Sequence, residues 1–91
     1  MSVKVRVPAQ LRTLTGGVGE VLVDGGTVGE VLKALDAAHP GFAERLFDES
    51  GQLRRFVNVF LSDEDVRFLE GLATPVADGQ TISIVPAVAG G

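Results

Sequence analysis

The sequence lacks several residue types on which many protein activities depend. Its 91 residues include no cysteine, which excludes disulfides, thiolate metal sites and a cysteine nucleophile. The single histidine, His39, has no evident partner for binding a metal or activating a nucleophile, so a structural or surface role is favoured. No recognisable set of nucleophile, base and orienting residue is present. We therefore expect no metal site, no bound cofactor and no catalysis by this chain alone.

Positive charge is also scarce. Lys and Arg total 8 against 12 Asp and Glu, and the longest basic run is the pair Arg54-Arg55. Nucleic acids and anionic membranes are bound through clustered positive charge, so both partners are disfavoured. No apolar run approaches the roughly 18 residues of a membrane span, and the N-terminal alternation is unlike a signal peptide. We expect a cytoplasmic protein that is a monomer when free.

What is present is enough apolar sequence, 45% of the chain, for one small core. Val3, Val5 and Val7 alternate with charged residues, which is the period-two pattern of a strand with one buried face. A connecting loop over residues 9–19 and a second strand from Glu20 to Val23 should follow. These two strands predict a hairpin with a long loop.

A helix is predicted after the hairpin. Thr27 can cap its first turn while Glu30 reaches back to the Thr27 backbone N–H. The apolar stripe that follows has helical spacing and consists of Val28, Val31, Leu32, Leu35 and Ala38. Pro40 disfavours helical geometry in the residue before it, so the helix should end near His39. One further helical turn over residues 42–47 and an exposed turn over 48–51 are expected.

The second half of the chain predicts three more strands. The run 56–61 should place Val57, Val59 and Leu61 on one face, and short strand 66–68 should follow an acid-rich turn. That turn does not have the ligand spacing of an EF-hand loop, so we interpret it as solvated rather than calcium-binding. In a final strand over 81–85, Ile82 and Ile84 should face inward.

The element order predicts an α+β fold in which one main helix covers one face of a mixed sheet of about five strands. This is the β-grasp, or ubiquitin-like, architecture, assigned to residues 1–86, with 87–91 as a flexible Gly-Gly tail. In that fold the last strand lies centrally, parallel to the first and antiparallel to the third. The uncovered face near the tail would then be a partner-binding surface. Its predicted members are Arg6, Phe56, Phe60 and Val85. Phe56 equally fits a role in packing against its neighbours.

The whole chain resembles the ThiS/MoaD family of ubiquitin-like sulfur carriers. Most of that resemblance lies in Asp78-Gly79 and in the ending Ile82-Ser83-Ile84-Val85-Pro86-Ala87-Val88-Ala89-Gly90-Gly91. The segments 55–60, 63–68 and 71–74 are in addition similar to the CysO-type carriers of actinobacterial cysteine biosynthesis.

The resemblance implies a reactive C-terminus. An E1-like partner enzyme would use ATP and Mg²⁺ to adenylate the Gly91 carboxylate, and a sulfur donor would displace AMP to leave a thiocarboxylate. Ala87, Val88, Ala89 and Gly90 would form the stalk, and the absent Cβ atoms of Gly90 and Gly91 would keep it narrow. The chain would then be a protein cosubstrate rather than an enzyme.

The sulfur acceptor is left open by the sequence. A PLP-dependent cysteine synthase is the first candidate acceptor, and enzymes of thiosugar, thiamin thiazole or molybdopterin synthesis are alternatives. Conjugation of Gly91 to lysines, as a ubiquitin-like tag, and a plain interaction module with a passive tail are competing functions.

Overall fold

The computed structural model describes residues 2–86. Its strands are β1 (Ser2–Arg6), β2 (Glu20–Asp24), β3 (Val57–Leu61), β4 (Glu64–Asp65) and β5 (Thr81–Pro86). Its α-helices are α1 (Val28–Ala38) and α2 (Phe42–Leu46). Short 3₁₀ helices span Ala9–Thr15, Val66–Phe68 and Gly71–Ala73. Within residues 2–86, no helix is long and apolar enough to cross a membrane.

The strands form one mixed sheet in the order β2-β1-β5-β3-β4. The central strand β5 runs parallel to β1 and antiparallel to β3. In this register Ile82 lies beside Val5, and Ile84 lies beside Val59. The predicted β-grasp topology is confirmed, including the central position of the last strand.

One hydrophobic core lies between the sheet and the helices. Alternate residues of β1, β3 and β5 are buried, as expected for strands with one covered face. The α1 residues Val28, Val31, Leu32 and Leu35 are buried in the same cluster. Ala38, the fifth residue of the predicted stripe, is exposed because it is the last residue of the helix and lies beyond the part that packs on the sheet.

The start of α1 follows the capping prediction with one difference. The Thr27 hydroxyl accepts a hydrogen bond from the Glu30 N–H at 3.2 Å, as predicted. The Glu30 carboxylate, however, accepts from the Gly26 N–H at 2.9 Å rather than from Thr27. Thr27 is held extended by a β-bridge to Pro75, and in this geometry the Gly26 N–H is the donor that meets the carboxylate.

The turn between α1 and α2 depends on a residue whose role was not foreseen. The Asp36 carboxylate accepts from the backbone N–H groups of Gly41 and Ala43, at 3.2 and 2.9 Å. Gly41 has φ 115°, and a Cβ there would lie 2.8 Å from a methyl carbon of Leu14, so a side chain would be strained twice over. These contacts direct α2 back onto the core, where Phe42 is fully buried.

The structure differs from the prediction in four segments. Residues 66–68 form a 3₁₀ helix rather than a strand, because the Asp65 carboxylate caps the Arg67 N–H at 2.9 Å and ends the short β4. The predicted strand 56–61 begins at Val57, and β5 extends one residue further, to Pro86. The predicted loop 9–19 contains the 3₁₀ helix Ala9–Thr15, which buries Leu11.

Candidate functional site

The described part of the candidate site is the surface from which segment 87–91 departs. β5 ends at Pro86, which lies opposite Val57 at the start of β3. The predicted reactive residue Gly91 and the predicted stalk lie outside the described residues, and their roles stay predictions. The stalk residues are Ala87, Val88, Ala89 and Gly90.

Three of the four predicted partner-binding residues share the uncovered face of the sheet. Ser83 on β5 has Arg6 beside it on β1 and Phe60 beside it on β3. Val85, two residues further along the same face of β5, lies opposite Asn58 and is 44% exposed. Arg6 forms an exposed ion pair with Glu20, with 3.4 Å between Nε and Oε2. The structure therefore brings Arg6, Phe60 and Val85 onto one face.

Phe56 lies in a different environment. It belongs to the turn before β3 rather than to the strand, so it does not take part in the strand alternation. Its side chain is 48% exposed. It lines a groove together with core residues such as Leu46 and Ile84. The role of Phe56 in partner binding stays a prediction. Its position in the wall of the groove differs from that of the three residues on the sheet face.

This groove, which we call the Pro86 groove, lies at the base of segment 87–91. Its volume is about 310 Å³. Its apolar walls are formed by Leu11, Leu46, Phe56, Val57, Ile84 and Pro86. Gln10 and Arg45 supply its polar lining. The groove forms because the 3₁₀ helix Ala9–Thr15 and α2 approach the same end of the sheet, a meeting that local sequence patterns do not reveal.

Arg67, whose role the sequence pattern does not reveal, fixes the chain beside Phe56. β4 pairs only with the last two residues of β3, so the outer edge at the start of β3 has no strand partner among residues 2–86. The Arg67 guanidinium takes this place by donating to the carbonyl oxygens of Val57 (2.6 Å) and Arg54 (2.9 Å). It also donates to the Asn58 side chain at 2.7 Å. An arginine after an acidic run gives no sequence signal for this role.

The turn after α2 leads into the same segment and is closed by its own hydrogen bonds. The Asp48 carboxylate accepts hydrogen bonds from the Ser50 hydroxyl and from the backbone N–H groups of Ser50 and Gln52. These bonds, led by that of the Ser50 hydroxyl, hold the pKa of Asp48 below its ordinary value, and the nearby charge of Arg54 adds to the effect. A β-bridge between Phe47 and Leu53 closes the turn, whose exposure was predicted.

Residues 2–86 contain no group of three or more His, Asp or Glu side chains placed to hold a metal ion. The features found instead are a small β-grasp body, a central strand leading to segment 87–91, and two surfaces beside its base. These define a ubiquitin-like protein. The model of the ThiS family matches residues 5–91, and the chain belongs to that family.

Three relatives indicate its place within the family. The sulfur carrier protein CysO of Mycobacterium tuberculosis is 52% identical over 93 residues, covering all of both chains. A chain in the crystal structure of the Amycolatopsis orientalis BexX/CysO complex superposes with a TM-score of 0.92 at 48% identity, covering 98% of this chain and 99% of that one. Small archaeal modifier protein 3 of Haloferax volcanii is 44% identical over 68 residues, covering 75% of this chain and 73% of the relative.

The resemblance noted in the sequence is thus confirmed at the level of family and fold. The chain is a homologue of the CysO sulfur carrier. Proteins of this class are substrates of other enzymes rather than enzymes themselves.

Proposed function

We propose that this chain carries sulfur as a thiocarboxylate on Gly91 and donates it to the biosynthesis of cysteine. The observation that carries the proposal is the end-to-end similarity to CysO, which includes segment 87–91. The central position of β5 supports it, because a strand hydrogen-bonded on both sides is a firm base for a reactive segment. In this proposal the E1-like activating enzyme uses ATP and Mg²⁺, and this chain binds neither.

The proposed chemistry requires activation because a free carboxylate is a poor acyl donor. A Gly91 carboxylate oxygen attacks the α-phosphorus of ATP, and pyrophosphate leaves. Sulfide then attacks the carbonyl carbon of the acyl-adenylate, AMP leaves, and the thiocarboxylate remains. If the donor is a persulfide, its attack gives an acyl disulfide, and a thiol of the partner must then attack the donor's sulfur to form a disulfide and release the thiocarboxylate. The terminal sulfur finally attacks an electrophilic carbon held by the acceptor enzyme, and hydrolysis of the resulting acyl bond returns the Gly91 carboxylate. Gly90 and Gly91 favour these steps because they lack Cβ atoms that would crowd the reacting carbon.

The body of the chain contributes position and recognition. β1 and β3 hold β5 from both sides, and the ring of Pro86 limits the backbone freedom at the start of the segment. Less entropy is then lost when the segment enters a partner's active site. The two surfaces beside Pro86 are candidate contacts for the adenylating enzyme and for a PLP-dependent cysteine synthase.

Intact mass measurement tests the proposal. The purified chain is incubated with its activating enzyme, ATP, Mg²⁺ and a sulfur donor. We expect the mass increase that corresponds to replacement of one oxygen by sulfur, and we expect none for the chain without Gly90 and Gly91. If an enzyme that is active on another carrier leaves the full chain unchanged, the sulfur-carrier proposal is wrong.

Protein conjugation is the second candidate function. The similarity to a small archaeal modifier protein favours it, since the same activated Gly91 carbonyl can be attacked by a lysine amine. Digested lysates should then contain lysines that bear isopeptide-linked Gly-Gly remnants specific to this chain. If the remnants are absent under varied stress, while the thiocarboxylate is formed, tagging is excluded.

The acceptor is identified by what the thiocarboxylate form binds. We expect a PLP-dependent synthase that acts on an activated serine to be recovered with it and to release cysteine. Recovery of only a sugar-processing enzyme, or of enzymes of thiazole or molybdopterin synthesis, would instead assign the sulfur to those pathways. A passive tail predicts that a chain lacking Gly90 and Gly91 keeps its biological activity.

A further inference from the structure

We propose that the Pro86 groove is a docking site for the adenylating enzyme and that it receives one apolar side chain flanked by carboxylates. The inference rests on the proposed function and adds to it a contact surface and the chemistry of the partner segment. Its evidence comes from the position, the apolar walls and the charge of the groove.

The groove lies within reach of any active site that holds Gly91. Pro86 lines the groove and lies five residues before Gly91. Five extended residues span at most about 17 Å, so an active site that holds the Gly91 carboxylate lies within that distance of the groove. A globular enzyme that encloses the segment therefore meets the surface around Pro86.

The adenylating enzyme has particular need of such a contact. It acts before any sulfur marks the end of the chain, whereas an acceptor enzyme can recognise the sulfur itself. The side chains of segment 87–91 are no larger than that of Val88 and carry no charge. Recognition of the correct substrate must therefore come from the folded body, and the surface nearest the segment is the most direct place for it.

The walls of the groove suit an apolar side chain. Leu46, Val57 and Ile84 at its base are at most 3% exposed, so their positions are fixed by the core. Phe56 stands above them with 48% of its surface exposed. A partner side chain that fills the groove would remove much of this aromatic surface from water, and such centrally buried aromatic contacts dominate interface energies.

Positive charge near the groove indicates which residues flank the partner's apolar side chain. Arg45 lines the groove, and the exposed Arg55 directly precedes Phe56. Neither guanidinium forms a hydrogen bond or an ion pair with another of residues 2–86. Arg54, in contrast, donates to the Glu44 carbonyl oxygen and lies near Asp48. In a chain of net charge −4, Arg45 in the groove lining and Arg55 one residue from Phe56, neither of them paired within residues 2–86, complement carboxylates on the partner.

Steady-state kinetics of adenylation, followed by ATP–pyrophosphate exchange, test the docking site. For the double variant Arg45→Glu/Arg55→Glu and for Phe56→Ser, we expect KM for the chain to rise about tenfold with kcat within about twofold, because only binding is lost. Lys4→Glu/Lys33→Glu is the matched charge control, since it also reverses two positive charges, and both lysines are exposed and outside the groove. Phe68→Ser is the matched aromatic control, because Phe68 is 86% exposed and outside the groove.

The outcomes separate the docking site from the proposed function. Failure of the wild-type chain to be adenylated overturns both. A wild-type chain that is adenylated, with groove variants whose KM equals that of the controls, overturns the docking site alone. Normal adenylation combined with slower sulfur donation would also overturn it, by assigning the groove to the acceptor enzyme. Thermal unfolding of each variant near the wild-type temperature shows that the changes act on binding rather than on folding.

Discussion

The two faces of the sheet have the same alternating pattern but are fixed by different forces. On the covered face, Val5, Ile82 and Ile84 are at most 3% exposed and are held by packing against the helices. On the uncovered face, Arg6 and Val85 are exposed, and their neighbours across the strands include Ser83 and Asn58. Packing therefore determines which residues can occupy the covered face. Residues of the uncovered face are not constrained in this way and can be selected for contact with partners.

The two faces also end differently at the base of segment 87–91. The covered side ends in the concave, apolar Pro86 groove with Arg45 at its rim. The uncovered side ends in a row of cross-strand neighbours, in which Val85 is the exposed apolar residue nearest the segment. Under the proposed function, the adenylating and acceptor enzymes can bind these two surfaces separately. Variants on each surface test whether the covered face serves folding and the uncovered face serves binding.

The largest effect is expected for a change in the covered face. Ile82→Ala should lower the free energy of unfolding by about 2–5 kcal/mol, because a fully buried side chain on the central strand is replaced by a cavity. Urea unfolding measures the loss. Val85→Ala on the same strand should change stability by no more than about 0.5 kcal/mol. Equal losses in the two variants would show that the uncovered face is as strongly packed as the core.

A smaller loss of stability is expected for Arg67→Ala. The variant removes three hydrogen bonds and leaves the Val57 carbonyl oxygen without its guanidinium donor, which should cost about 1–2 kcal/mol because solvent can replace part of the interaction. Amide hydrogen exchange should become faster between Arg54 and Asn58.

Arg67→Lys is the matched control, since it keeps the charge but not the planar fork that reaches separate acceptors. It should recover only part of the stability. Full recovery would mean that the charge of residue 67, rather than the geometry of its hydrogen bonds, stabilises the start of β3.

Features that a local sequence pattern encodes were predicted, and features that depend on other contacts were not. The covered faces of β1, β3 and β5 were predicted because alternation is a local pattern that one buried face imposes. The central position of β5 followed from assigning the element order to the β-grasp fold, in which the last strand is central. The 3₁₀ helix at 66–68 was missed because the Asp65 cap outweighs the β propensity of Val66 and Phe68.

The Pro86 groove and the Arg67 hydrogen bonds were missed for another reason. Both join segments that are distant in sequence, such as Gln10 with Arg45, or Arg67 with Val57. Periodicity carries no information about such contacts. The predicted reactive end at Gly91 came from resemblance, since no local physical pattern distinguishes a reactive glycine pair from an inert one.

The uncovered face should affect binding more than folding. Val85→Ser should weaken binding of the chain to at least one enzyme that handles segment 87–91 by roughly fivefold, equivalent to about 1 kcal/mol of an interface contact. Titration calorimetry with the purified adenylating and acceptor enzymes measures the change. Leu22→Ser is the matched control. Leu22 is 68% exposed on β2, where it pairs with Lys4 of β1, and β2 is two strands away from β5. An equal loss in both variants would place the contact across the whole face rather than near Val85.

The smallest effect concerns the turn after α2 that is held by Asp48. The folded-state pKa of Asp48 is lowered, so its carboxylate stabilises the folded chain above the ordinary aspartate pKa, and this contribution is lost as the pH falls through the folded value. Asp48→Asn should therefore be slightly less stable than the wild type at neutral pH, and the two should converge in acid. Because Asp48 is fully exposed, the difference should be smaller than that for Arg67→Ala. Thermal unfolding as a function of pH measures it, and a difference that grows in acid would show that the carboxylate is not stabilised by its Ser50 and Gln52 donors.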